Sequence, residues 1–253
     1  MERIHPDSRT IIERLDTKGR VHRSGGGAAR AEQKQASRTA ARSDTASIRG
    51  REMRSRGTTQ AATEPTSVPA ERRPVTYSLN DRTDTASNIT STTGGPASSS
   101  IVGALTEINN GAGQTLVNTT LQQTSATRAA NDGTNLISFV QGNYRFNKNT
   151  IAVNISFTQG TSTVDSDTLF NPRMAFSTDD SGAVEQKTFD VQGIATHELM
   201  HSVGVPHITT NTQATMYPSA SRTDDVRLRT LEPEDRAALQ TLYPVPPPPP
   251  PTI

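Results

Sequence analysis

Five residues dictate the path of the chain between positions 197 and 207. His197, Glu198, His201, Gly204 and His207 read H-E-x-x-H-x-x-G-x-x-H. A helix turns about 100° per residue, so His197 and His201 share one face a single turn apart. Gly204 then lets the chain leave the helix through a left-handed conformation that costs other residues more. The turn brings His207 back towards the first two histidines. Three neutral imidazoles leave a tetrahedral zinc with one open position, the arrangement of a reactive site rather than a structural one. Water at such an ion loses its proton near neutrality. Glu198, next to the first histidine, can take that proton and later deliver it to a leaving group.

The flanking sequence suits a helix. Asp190 can cap its N-terminus, and Phe189 can pack on Ile194 as a hydrophobic staple. Val191, Ala195, Leu199 and Val203 repeat at helical spacing and face a core. A core helix with incidental histidines would have no packing use for three ionisable side chains in this register.

These residues resemble the metzincin clan, most closely the matrixin-like (M10-type) zinc endopeptidases. Thr215-Met216-Tyr217-Pro218 resembles the Met-turn, with Met216 as a hydrophobic floor rather than a ligand, because thioether binds zinc poorly beside imidazole. The stretches 75–79, 167–171 and 231–243 resemble the family's first strand, the strand before the active helix and the last helix. Met200 stands where matrixins usually carry glycine, so H-E-L-M-H is written as astacins write it. Pro218 and Ile208 depart from the astacin pattern, and matrixin-like is the better description.

The resemblance implies an α+β metzincin-type domain over 74–244, with a five-stranded mixed twisted sheet and three helices. The active helix would lie between an upper and a small lower subdomain. It implies a zinc-dependent endopeptidase that hydrolyses internal peptide bonds of protein or peptide substrates. His197, His201 and His207 would hold one zinc, Glu198 would be the catalytic base, and Tyr217 and Pro218 would line the substrate pocket. A non-catalytic, zinc-stabilised surface or binding protein stays open as the alternative. The resemblance also admits a structural calcium, with Asp165, Asp167, Asp179 and Asp180 as candidate ligands and ordinary surface carboxylates as the competing reading.

Composition narrows the rest. There is no cysteine, so no disulfide staples the fold and no thiolate can reach the zinc. Any latency would need another group, and Asp7, Asp16 and Asp44 are the aspartates that the N-terminal segment offers. Residues 1–73 hold 16 of the 26 Lys/Arg and 9 of the 25 Asp/Glu. That basic, aromatic-poor segment reads as disordered with a short helix near 9–15, and as a candidate pro-segment, a polyanion-binding arm or a solvated tail. No aromatic interleaving suggests nucleic-acid stacking, and no apolar run is long enough to span a membrane. The expected state is a monomer. The resemblance implies secretion, although residues 1–25 carry charge throughout and lack the apolar core of a signal peptide. Residues 245–253 form a proline-rich tail.

Periodicity predicts strands over 74–80, 115–121, 135–140, 151–157 and 163–170, and helices over 100–113 and 233–243 besides the motif helix. Ile151, Val153, Ile155 and Phe157 alternate, as a half-buried strand requires. By resemblance this strand would border the cleft and pair with an extended peptide, with an ordinary core strand as the competing reading.

Overall fold

A computed structural model describes residues 8–17, 53–54, 65–179, 188–222 and 225–245. In chain order its strands are β1 (Ser8–Thr17), β2 (Met53–Arg54), β3 (Tyr77–Asn80), β4 (Ile89–Thr90), β5 (Gln122–Thr124) and β6 (Asn135–Ser138). There follow β7 (Tyr144–Arg145), β8 (Thr150–Gln159), β9 (Ser162–Phe170), β10 (Phe176–Ser177), β11 (Phe189–Asp190) and β12 (Ser219–Ala220). Among the described residues three α-helices accompany them: α1 (Ala97–Ala112), α2 (Val191–Ser202) and α3 (Pro233–Leu242).

The main sheet runs in the order β12-β1-β8-β9-β6-β3-β5. From β5 through β3 and β6 to β9 the neighbours are parallel, whereas β8 is antiparallel to β9 and to β1. The expected five-stranded mixed sheet is therefore present as β5 to β8, and β1 and β12 extend it beyond β8. The class is α+β, with three helices as expected. Both faces are covered. Ile101, Leu105 and Ile108 of α1, with Ile194 and Leu199 of α2, pack against Tyr77, Leu79 and Ile137 on one face. Val153, Ile155, Phe157, Leu169 and Tyr144 form a second cluster.

Most elements follow their local pattern. The helix expected over 100–113 is α1, which begins three residues earlier because Asp84, distant in sequence, accepts the Ser98 N–H at 2.8 Å. Such a contact cannot be read locally. The strand expected over 115–121 does not form; only Val117 bridges to Val75, and the chain pairs with β3 further on, at Gln122–Thr124. The pairing there is made by main chain through polar residues without alternation. The expectation that 151–157 is half-buried also needs correction, since β8 is buried from Thr150 to Thr158. Its polar face is internal and satisfied: Asn154 donates to Ser166 Oγ (2.9 Å) and Thr168 Oγ1 (3.1 Å) and accepts from Ser156 (2.7 Å).

The largest correction concerns 9–15, expected as helix and found as strand. Ile11, Ile12 and Leu15 fit helical spacing, but β8 offers an open edge. β1 pairs along it from Ser8↔Gln159 to Asp16↔Thr150. Tertiary pairing overrides local preference here. The proline-rich stretch 246–253 and the aspartates Asp7 and Asp44 lie outside the described residues.

Candidate metal centre

Helix α2 starts where the sequence places it. Asp190 is its N-cap, and its Oδ2 accepts the Gly193 N–H at 2.6 Å. Arg229 locks the cap from outside through Nε (2.9 Å) and Nη2 (2.5 Å). Burial and the nearby Asp225 push the Asp190 carboxyl upward, but the guanidinium in direct contact holds it ionised. Gly193 is needed because a Cβ would sit 2.4 Å from the Asp225 carbonyl oxygen. Every turn of α2 is buried, since it lies between α1, the sheet and the 3-10 turn Asp225–Arg229.

At the other end Gly204 has φ +90°, and a Cβ there would lie 1.8 Å from the Thr66 carbonyl oxygen. The left-handed exit expected of this glycine is thus present, and the close approach of residue 66 forbids any side chain. Tyr243 pins the same corner by donating to the Val203 carbonyl (2.7 Å) while accepting the Val68 N–H (2.8 Å).

The three histidines converge. His201 Nε2 lies 3.1 Å from His197 Nε2 and 3.2 Å from His207 Nε2. Their opposite nitrogens face acceptors: His197 Nδ1 the Thr215 carbonyl (2.6 Å), His201 Nδ1 the Val205 carbonyl (2.8 Å), His207 Nδ1 the Glu13 carboxylate (3.4 Å). A carbonyl can only accept, so each Nδ1 that faces one carries the hydrogen. Burial pushes His197 down to about 3 and His207 down to about 4, and it lowers His201 strongly as well, so the rings are neutral at pH 7. The Nε2 atoms then present bare lone pairs to one another at contact distance, an arrangement that repels unless a cation lies among them. Zn–N bonds of about 2.0–2.1 Å in a tetrahedron place the nitrogens about 3.3 Å apart. The donor set therefore fits zinc, and His197, His201 and His207 form a group among the described residues that could hold a metal ion.

The family model for matrixin matches residues 117–244, half of the chain and all of this cluster. The chain belongs to the matrixin family. Matrixins are zinc-dependent metalloproteases and are often secreted. Among curated proteins no relative matches this one. No helix among the described residues of this matrixin is long and apolar enough to cross a membrane.

Glu198 is fully buried and neither of its oxygens has a hydrogen-bond partner among the described residues. Burial first, then the charge of Glu13, push its carboxyl well above the usual range; the nearby N–H groups of Leu15 and Asn154 oppose this but do not bond it. A buried carboxyl without a hydrogen-bond partner is uncommon in folded proteins.

Met216 is buried in the main core, and its carbonyl accepts the Ile208 N–H at 2.9 Å, tying the turn to the segment that carries His207. Tyr217 and Pro218 are half-buried and lead directly into β12. Sequence reading missed Asp235. From the first turn of α3 it accepts the N–H groups of Thr215 (2.7 Å), Met216 (3.0 Å) and Glu232 (3.0 Å). It thereby fixes the carbonyl that orients His197. The acidic first turn was visible in Glu234 and Asp235, but their partner 20 residues upstream was not.

Asp165 accepts from Asp132 and Gly133 (2.8 Å each), and Asp167 from Ala130 and Leu136 (2.9 Å each). Asp179 gathers the N–H groups of Thr92, Thr93 and Gly94. These carboxylates, raised as calcium candidates, here organise loops. Asp180 lies outside the described residues.

Proposed function

We propose that this matrixin is a zinc-dependent endopeptidase in which His197, His201 and His207 hold the metal and Glu198 is the general base. The observation that carries the reading is the convergence of three lone pairs beside a buried, unpartnered carboxyl. Zinc bound there would supply Lewis acidity, lowering the pKa of water and polarising a peptide carbonyl. Glu198 accepts the proton of the attacking water and returns it to the amine nitrogen as the C–N bond breaks.

Thr215 and Val205 carbonyls fix the tautomers and orientations of His197 and His201, the role such outer partners play at metal sites. Met216 serves as the apolar floor, and Tyr217 and Pro218 border the pocket for the residue after the cleaved bond. Substrates would be extended protein segments pairing with the edge of β8, and the site of action would be extracellular. The test is metal content and cleavage of casein by the zinc-loaded protein. One zinc per chain with chelator-sensitive cleavage supports the reading. One zinc with no cleavage of any substrate, even after residues 1–73 are cut away, favours the zinc-stabilised binding protein instead.

A further inference from the structure

Two oppositely charged side chains grip the turn that faces the histidines. Arg227 belongs to the 3-10 turn Asp225–Arg229. Its guanidinium donates to three consecutive carbonyls: Nη2 to Thr212 at 3.2 Å, Nη1 to Gln213 and, at 3.3 Å, to Ala214. Asp235 takes the next two N–H groups, those of Thr215 (2.7 Å) and Met216 (3.0 Å). The peptide unit between Ala214 and Thr215 is therefore held at both polar ends, its C=O by Arg227 and its N–H by Asp235. Because a peptide unit is planar, holding both ends fixes its orientation. The following unit carries the Thr215 carbonyl, which meets His197 Nδ1 at 2.6 Å.

The same short segment anchors the turn to helix α2. Asp225 Oδ2 accepts the Asp190 N–H at 2.7 Å, and Arg229 binds the Asp190 carboxylate through Nε and Nη2. Asp190 opens α2, and His197 stands about two turns further along it. Residues 225–229 thus tie the start of the helix that carries His197 to the turn that supplies its acceptor.

Charge alone would make Arg227 a poor neighbour for a metal. It is close enough to His197 to disfavour a proton on that ring, and its field opposes a zinc ion there in the same way. As a planar fork, however, it holds several carbonyls at once, which a point charge cannot do. The two effects have opposite signs on metal affinity, so experiment can separate them.

We propose that Arg227 is a positioning residue for the metal centre: through the carbonyls of residues 212–214 it aims the Thr215 carbonyl at His197 Nδ1, and so presents His197 Nε2 to the ion. The proposal rests on the reading of the three histidines as zinc ligands. Its consequence is a choice of tautomer. His197 Nε2 lies 3.1 Å from His201 Nε2, and a hydrogen on His197 Nε2 would relieve the repulsion between those lone pairs. The Thr215 carbonyl, kept in place, selects the Nδ1–H form instead and leaves Nε2 bare for metal.

The test uses the full-length chain with Arg227→Met, which keeps an apolar stem without charge or donors, and Arg227→Lys, which keeps the charge without the fork. Zinc affinity is measured by competition with a chromogenic chelator. The His197 tautomer is read from long-range proton–nitrogen correlation spectra of the metal-free protein at pH 7.

Arg227→Met should bind zinc roughly tenfold or more weakly, the range seen when outer partners of metal ligands are lost, and should shift His197 towards the Nε2–H form. Arg227→Lys should fall between it and the parent. Tighter zinc binding by Arg227→Met would show that the side chain acts through its charge alone, and would overturn the proposal. So would parent-like affinity and tautomer in an Arg227→Met protein that still unfolds cooperatively. A shifted tautomer, with no zinc taken up by parent or variants, would support the positioning role while sinking the zinc reading. Should Arg227→Met lose cooperative unfolding, Arg227→Lys decides: zinc binding weaker by about threefold or more with a shifted tautomer supports the proposal, and parent-like values of both overturn it.

Discussion

Glu198 and Asp235 are both fully buried carboxyls, and their surroundings separate their roles. Asp235 meets three N–H donors, whereas Glu198 meets none. Asp235→Ala orphans buried N–H groups at roughly 1–3 kcal/mol each. Chemical denaturation should show a loss of about 3 kcal/mol, accompanied by weaker zinc binding because the Thr215 carbonyl shifts. A loss under about 1 kcal/mol would contradict the assignment. The histidines give a second test. In metal-free protein, ring-nitrogen NMR should find His197 and His207 still neutral at pH 5, with midpoints near 3 and 4; a midpoint near 6.5 would oppose the burial argument. The sign for stability follows: between about 4 and 6.5 the folded chain binds fewer protons at these rings than the unfolded chain. Acidification through that window therefore removes stability that these histidines leave intact above it.

Among the elements, α2 was legible almost to the residue. Asp190, the apolar repeat and Gly204 are all local signals, and each acts within a few residues of itself. Its outer supports, Arg229, Thr66 and Tyr243, come from distant segments and carry no local signature. β1 failed for the same reason in reverse. Its local pattern suggests a helix, and the strand exists only because β8 presents an edge. β5 went unnoticed because Gln122–Thr124 has no apolar alternation and pairs through main chain alone. Gly204→Ala tests the corner after α2. With φ +90° and no room beside Thr66, the substitution should cost about 3 kcal/mol or more. It should also weaken zinc affinity at least tenfold, because His207 follows the turn. Unchanged zinc affinity by competition with a chromogenic chelator would contradict the link between that turn and the third histidine.

For the whole molecule, one face of the sheet shares a core with the helices, and the histidine triad joins α2 to the segment after Gly204. Metal binding should therefore stabilise the entire domain. Zinc at about a thousand times its dissociation constant adds about 4 kcal/mol, which for a domain of this size raises the melting temperature by roughly 10 °C; calorimetry with and without chelator reads this directly. The family could be read from eleven residues, whereas the pairing of β1 with β8 is visible only in the fold. The most direct test of the central claim is Glu198→Ala, assayed for zinc content and casein cleavage beside the unaltered chain. The account predicts one zinc per chain, an unchanged fold and a rate lower by at least 10²–10⁴-fold, the range expected for a general base. Zinc retained with cleavage undiminished would contradict it.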